Sequence, residues 1–239
     1  MSLILFLYGL VIGSFLNVLI DRLPKSQPIT GRSHCDHCKK QLRSIDLIPV
    51  VSFLALGRKS HCCKKPLSWF YPFVELLTGI SFVIIGGDIL MLGIISALIV
   101  IFFADYKYHI VPDEATIALF IFSTFTLLSV GNKFDHLLGG LVLLLGMYGL
   151  YWITKGKGLG FGDVKLAFVI GWLLGLKSGF LAIYLAFILG GIVSAIFLLI
   201  KQRKMKSKIA FGPFLVIGIT IMLFFEREVF GVVNRIFDF

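Results

Sequence analysis

Eight long apolar runs, separated by short polar connections, decide what a chain like this can fold into. They are Leu3–Ile20, Trp69–Gly86, Ile89–Ala104, Ala115–Val130, Leu137–Thr154, Lys165–Leu176, Phe180–Ile200 and Ile209–Phe225. A helix needs about 20 predominantly apolar residues to cross a bilayer. Apolar residues make up 58% of the chain and charged ones only 15%, against about 25% charged in an average soluble domain. A soluble globule is excluded, and the expectation is an all-α membrane protein: a bundle of about eight transmembrane helices. Leu3–Ile20 lacks a basic flank before it and a small-residue cleavage site after it, so it reads as a retained span, not a removed signal.

The formal net charge of +10 needs no nucleic-acid partner, because its distribution has a topological explanation. Cytoplasmic loops of membrane proteins carry excess Lys and Arg. With the N-terminus outside, the inner connections hold 19 of the 23 basic residues, and only Lys133, Lys177, Arg227 and Arg235 fall outside. The expected location is a bacterial cytoplasmic membrane, multi-pass, with the N-terminus outside. Small residues let membrane helices approach closely. Gly9 and Gly13 form such a pair in the first span, and Gly139, Gly140, Gly190 and Gly191 are expected to serve spans five and seven. One sizeable polar segment, roughly 21–68, lies between the first two spans and contains all four cysteines. No low-complexity stretch and no internal repeat is evident.

An ionisable residue at membrane depth is a functional hypothesis by default. Asp105 ends the third span and Asp163 opens the sixth, in Gly160-Phe-Gly-Asp163-Val-Lys165. The charge-derived topology puts both on the cytoplasmic side. Sixteen residues before Asp105 rise about 24 Å and twelve after Asp163 about 18 Å, both short of a hydrocarbon core about 30 Å thick. Each carboxyl group is therefore expected below the interface, inside a polar cavity. Irregular backbone such as Gly160–Gly162 is tolerated at that depth only beside protein or water, and its glycines let another backbone come close. Two facing carboxyls in such a pocket share one proton, since like charges a few ångströms apart cannot both stay ionised. The ionised partner takes a proton from water while the protonated one donates to a scissile carbonyl. Each aspartate also has a structural role open to it: Asp105 as a helix-end cap and Asp163 as the N-cap of span six.

Cys35-Asp-His-Cys38 has the C-x2-C spacing that supplies half of a tetrahedral zinc site, and a cytoplasmic loop disfavours a structural disulfide. Two further thiols follow in the run Ser60-His-Cys-Cys63. Zinc is expected on Cys35, Cys38, Cys63 and either Cys62 or His61; the alternative is a metal-free loop with buried or redox-active thiols. Glu75, about two turns into the second span, needs a partner within the protein. Lys165 is read as orienting Asp163, as binding substrate, or as an ordinary inner-face cation, Asp113 as shaping the turn into span four, and His109 as a solvated loop residue.

The chain resembles the type IV prepilin peptidases, a GxGD class of intramembrane aspartyl protease. The resemblance rests on Gly13-Ser-Phe-Leu-Asn-Val-Leu-Ile-Asp-Arg-Leu-Pro24, Asp46-Leu-Ile-Pro-Val-Val-Ser52 and Tyr71-Pro-Phe-Val-Glu-Leu-Leu-Thr-Gly79, with Asp105 followed by Val111-Pro-Asp113, and Gly160–Lys165. It implies Asp105 and Asp163 as the catalytic pair, supported by Gly160, Gly162, Lys165 and Glu75, the last in a methyl-transfer half. It implies removal of a short basic leader, usually after Gly, from prepilins, pseudopilins, secretion-system or competence proteins. Methylation of the new N-terminus with S-adenosylmethionine is a further implication. A compact chain of 239 residues resembles the competence-pseudopilin type. Two regions are expected: 1–88, with the cysteine loop, and 89–239, the peptidase domain. Ser60 stands where the family has its third cysteine and Phe70 where it has an arginine before Tyr-Pro, departures that bear on methyl transfer more than on proteolysis. Two other functions fit the two carboxylates: a GxGD protease with some other membrane substrate that does not methylate, and a proton-coupled carrier, which predicts discontinuous helices and repeat symmetry.

Overall fold

A computed structural model describes residues 2–35, 37–128, 133–200 and 210–237. The ends at Val130 and Ile209 expected for spans four and eight, and the basic cluster 201–209, lie outside the described residues. The chain divides into two compact units, Met1–Val100 and Ile101–Phe239. Helices α1 (Ser2–Arg22), α2 (Val51–Ala55) and α3 (Phe70–Ile85) belong to the first unit, and α4 (Ile89–Tyr108) crosses the boundary. In the second unit lie α5 (Asp113–Leu127), α6 (Lys133–Ile153), α7 (Phe161–Leu199) and α8 (Gly212–Phe237). Among the described residues there is no β-strand, only two isolated bridges. Among the described residues, four helices are long and apolar enough to cross a membrane, and α3 is a shorter apolar one. Large apolar side chains such as Leu3, Leu7, Trp152 and Leu199 stand on the outer surface, as lipid contact requires. The chain is an all-α membrane protein.

Helix α7 is written as one element but contains a break. Gly175 has φ 80° and ψ 179°, a conformation that favours glycine. A methyl on Gly179 would lie 3.2 Å from the Gly171 Cα and 3.5 Å from the Ile170 carbonyl. Residues eight apart in a straight helix are separated by about 12 Å, so the two arms, 161–174 and 176–199, fold back on each other. The expected sixth and seventh spans are the two arms of this hairpin. Helix α8 runs past the expected end at Phe225, which is itself non-helical (φ −128°, ψ 28°).

Glycines set the close helix contacts, though not all of those expected to. Gly9 and Gly13 of α1 meet α3: a methyl on Gly9 would sit 2.8 Å from the Gly79 Cα, and one on Gly13 2.7 Å from the Glu75 Cα. Gly139 and Gly140 of α6 pack against the first arm of α7 and its break, at Leu176, Gly175 and Phe168. Of the two glycines expected to serve packing in span seven, only Gly190 meets a neighbour. Gly190 faces Phe214 of α8, and a methyl on Gly191 would meet nothing within 4 Å. Gly171 lies directly on the Gly139 carbonyl. We expect Gly171→Leu to lower the thermal midpoint of the lipid-reconstituted protein, by a destabilisation of about 1–3 kcal/mol or more. Gly146→Leu on the same hairpin's partner helix, where an added methyl meets nothing within 4 Å, should leave the midpoint unchanged.

Candidate active site and cysteine centre

Asp105 and Asp163 come from segments 58 residues apart in sequence, and the fold brings both to one cavity of about 870 Å³. Both are buried, at 5% and 6% exposure, and their carboxyl groups lie within electrostatic reach of each other. Asp105 sits one turn before the end of α4. Its Oδ2 accepts the Gly212 backbone N–H at 2.8 Å, at the first residue of α8. Asp163 is the third residue of α7. It is not the N-cap: its Oδ2 reaches back to accept the Gly160 N–H at 3.1 Å, as the acidic residue of a capping box does. Each carboxylate therefore faces the positive end of a helix.

Close approach explains the glycines. A methyl on Gly162 would lie 2.9 Å from the Val111 Cβ, so a side chain there would push the start of α7 away from the loop that follows α4. A methyl on Gly160 would come 3.2 Å from the Asp163 Oδ2, and one on Gly212 2.7 Å from the Asp105 Oδ2. Gly212 was not among the candidates from sequence, although Gly212-Pro213 at a helix start is a legible signal. Lys165 does not orient Asp163. Its ammonium donates to both oxygens of Asp113 at 2.8 Å, an exposed pair whose energetic weight is small. His109 is exposed, as expected for a loop, and lines the cavity mouth with φ 55°.

In the first unit Glu75 is buried: its Oε2 accepts the Val50 N–H at 2.8 Å, and the Ser14 side chain is a further hydrogen-bond partner. The four cysteines cluster, all four sulfurs lying within 4.8 Å of one another. His61 is not part of this cluster; its fourth member is Cys62. Cys35 Sγ lies 3.7 Å from Cys63 Sγ, and Cys38 Sγ 3.1 Å from Cys62 Sγ. A tetrahedral zinc with bonds of about 2.3 Å separates its sulfurs by about 3.8 Å, so the donor set fits such a metal.

The cysteine turns overturn the expectation that no internal repeat exists. Cys35 N donates to Lys40 O and Lys39 N to Cys35 O; Ser60 N donates to Lys65 O and Lys64 N to Ser60 O, all at 2.8–2.9 Å. Lys39 and Lys64 both have positive φ, 57° and 58°, and the bridges His34–Gln41 and Lys59–Pro66 flank the two turns. The second turn repeats the first 25 residues later, and Cys-Lys-Lys-x-Leu at 38–42 and 63–67 carries the signal. In this register Ser60 stands opposite Cys35, and Cys62 occupies the place of His37. Ser60 is buried, with its Oγ 3.3 Å from Cys35 Sγ and 3.0 Å from Cys62 Sγ. Burial opposes ionisation of Cys35, but hydrogen bonds from Ser60 and from the backbone of Cys38 and His37 outweigh it and hold the thiol down at about 6. Cys38, hydrogen-bonded chiefly to Cys62, is pushed up to about 11. Sulfurs this close do not all ionise without a cation among them.

Residues 7–88 match the family described as Bacterial Peptidase A24 N-terminal domain, and residues 92–195 match the Type IV leader peptidase family. A prepilin leader peptidase/N-methyltransferase of Dickeya chrysanthemi is 31% identical over 90% of this chain and 89% of its own length. The chain belongs to the type IV leader peptidase family. A protein of the same description from Bacillus subtilis is 30% identical over 90% of each chain, and one from Pseudomonas aeruginosa is 29% identical over 93% of this chain and 90% of its own. No solved structure matches. In this family member both aspartates of the expected pair line one cavity, while the cysteine set departs from two regular C-x2-C halves at Ser60.

Proposed function

We propose that this protein is a membrane-embedded aspartic endopeptidase that removes the leader from prepilins or pseudopilins, with Asp105 and Asp163 as its catalytic pair, and that it then N-methylates the terminus so exposed. The carrying observation is that two buried carboxyl groups within electrostatic reach share one cavity. The names of the relatives combine the same two activities. Region 89–239 carries proteolysis in this reading and region 1–88 the cysteine centre and methyl transfer. Basic residues concentrated in alternate connections favour a bacterial cytoplasmic membrane, the N-terminus outside and the cavity facing the cytoplasm.

Hydrolysis follows from the geometry of the pair. In each aspartate the backbone hydrogen bond uses Oδ2, which fixes the plane of the carboxyl group without a neutralising cation. One carboxylate takes a proton from water as the water oxygen attacks the scissile carbonyl, and the other, protonated, donates to the carbonyl oxygen. Collapse of the tetrahedral species returns a proton to the leaving amine. Glycine-lined walls at Gly158, Gly160 and Gly190 leave room for an extended peptide backbone beside the pair. The four cysteines hold zinc in this reading. Four sulfur ligands leave no open position, so the metal ties the two turns together and serves structure.

Three outcomes test this reading. Asp105→Asn and Asp163→Asn should each lower cleavage of a leader peptide with a Gly–Phe junction by at least about 10²-fold, with the variant still monodisperse in detergent. Near-normal cleavage by either one ends the assignment of the pair. Gly212→Ala should lower kcat by up to about 10²-fold by displacing Asp105, with KM little altered; a fully active variant would show that the Gly212 contact does not position the carboxylate. The purified protein should contain one zinc per chain by elemental analysis. Cys62→Ser should lose it, and adding Ser60→Cys to that variant should restore it by returning a sulfur to the repeat position. Undiminished zinc in Cys62→Ser would remove Cys62 from the ligand set.

A further inference from the structure

Between the two cysteine turns lies a segment to which neither proteolysis nor metal binding gives a role: the short 3₁₀ helix Ser44–Leu47 followed by α2. Large apolar side chains recur along it at every third position. Ile45, Ile48, Val51 and Leu54 are 72%, 44%, 59% and 63% exposed. Consecutive helical turns carry them, with Ile48 N donating to Ile45 O, Ser52 N to Ile48 O and Leu54 N to Val50 O at 3.1–3.3 Å. Tight turns bring positions i and i+3 over one another, so the four form an outward ridge. The side chain between two of them packs inward: Phe53 is buried, its ring centroid 4.9 Å from that of Trp69. A contiguous exposed apolar surface of this kind marks contact with a membrane or a partner.

The level of the segment along α3 chooses between the two. Helix α3 presents apolar side chains outward at Phe73, Ile80 and Ile84, as a lipid-facing helix does. Trp69, exposed just before its first residue, carries the Arg58 guanidinium 4.8 Å over its ring. Tryptophan is enriched at headgroup level. Glu75 comes six residues after Trp69, about 9 Å further along the helix axis, and helical side chains lean back toward the helix start. Its Oε2 accepts the Val50 N–H at 2.8 Å. Val50 is thereby held deeper than the tryptophan by at most about 9 Å. Interfacial helices bury their apolar face about 5–10 Å into the boundary between headgroups and acyl chains. The ridge is at that level, where lipid surrounds the protein.

The tether is strained. Val50 has φ 60° and ψ −47°, and Val51 N donates to Pro49 O at 2.5 Å. This is a γ-turn of the rare hand, at a β-branched residue where positive φ is a true outlier. Strain of this kind persists only where the surroundings over-determine it. Here the turn points the Val50 N–H inward at Glu75 and carries Val51 outward onto the ridge.

Charge matches the same surface. Between 37 and 74 the sequence has one acidic residue, Asp46, against seven basic ones. Asp46 is engaged within its own turn, its Oδ2 accepting the Arg43 N–H at 3.1 Å. Arg43 opens the segment, Arg58 and Lys59 close it, and all three are exposed. An apolar face flanked by cations is the pattern of helices that lie on anionic leaflets.

We propose that residues 45–54 are an interfacial anchor whose apolar ridge sits in the headgroup–acyl boundary of an anionic leaflet, with Arg43, Arg58 and Lys59 among the headgroups. The anchor joins the cysteine turns at 34–41 and 59–66, so it holds the cysteine centre against the membrane surface.

The test uses the zinc-loaded full chain in vesicles of phosphatidylglycerol and phosphatidylcholine in equal amounts. One lipid or the other carries a diazirine near the glycerol end of an acyl chain. Both lipids occupy both leaflets, so the result does not depend on which way the chain faces. After photolysis, mass spectrometry of protein fragments should find lipid adducts on 45–54 and, as a reference, on the exposed Leu3 and Leu7 of α1. Adducts on 45–54 should come from phosphatidylglycerol about fivefold more often than from phosphatidylcholine, as one basic residue near an anionic surface gives. The α1 reference should take both lipids equally. Ile48→Ser combined with Leu54→Ser should lower the yield on 45–54 by about tenfold or more and leave the reference unchanged. Arg58→Gln combined with Lys59→Gln should remove the preference for phosphatidylglycerol. Retained zinc content and a monodisperse profile separate these effects from misfolding. Adducts on Leu3 and Leu7 with none on 45–54, or cross-links from 45–54 to a second copy of the chain, would overturn the anchor. Equal yields from the two lipids in the unaltered protein would overturn its choice of an anionic leaflet.

Discussion

Gly162 against Val111 and Gly212 against the Asp105 carboxyl are contacts in which hydrogen replaces a side chain so that two segments can touch. In a bilayer, lipid tails are as apolar as leucine, so helices gain little from burying apolar surface on one another. Close backbone packing has to hold them. The same economy of side chains recurs at Gly9 and Gly13 on α3 and at Gly139 on the α7 hairpin. Without these approaches the α4 end, the α7 start and the α8 start would stand a side chain's width apart. The buried acids would then face empty space or lipid.

A second regularity is that buried carboxyl groups are held by backbone N–H donors: Asp105 by Gly212, Asp163 by Gly160 and Glu75 by Val50. The half-buried Asp135 is held in the same way, accepting the Leu176 N–H just past the Gly175 break. A backbone donor fixes the plane of a carboxyl without bringing a second charge to be desolvated. It also leaves the acid chemically available, which a bidentate arginine would not. Lys165 illustrates the contrast, for it sits two residues from Asp163 in sequence yet pairs with the exposed Asp113.

The cysteine centre is an instance of one turn used twice. The two turns share their hydrogen bonds and their positive-φ lysine, yet the sulfur expected at position 60 is supplied from position 62. The hydroxyl of Ser60 remains at the abandoned position and bonds two of the sulfurs. The four sulfurs converge all the same, because the second turn is short enough to turn the side chain at position 62 inward in place of the one at position 60.

Hydropathy and charge in the sequence determined that this is an all-α membrane protein, because lipid allows only segments that satisfy their own backbone hydrogen bonds. The same reading located the eight runs, the scarce acids Asp105 and Asp163, and three of the clustered cysteines without ambiguity. Tertiary structure alone decided that Gly175 folds α7 into a hairpin, that Gly212 holds Asp105, that Cys62 rather than His61 joins the cluster, and that Asn17 Oδ1 has no hydrogen-bond partner among the described residues. The physical reason is range. Periodicity and composition report on neighbours along the chain, whereas each of these facts depends on which distant backbone atom arrives within hydrogen-bonding distance.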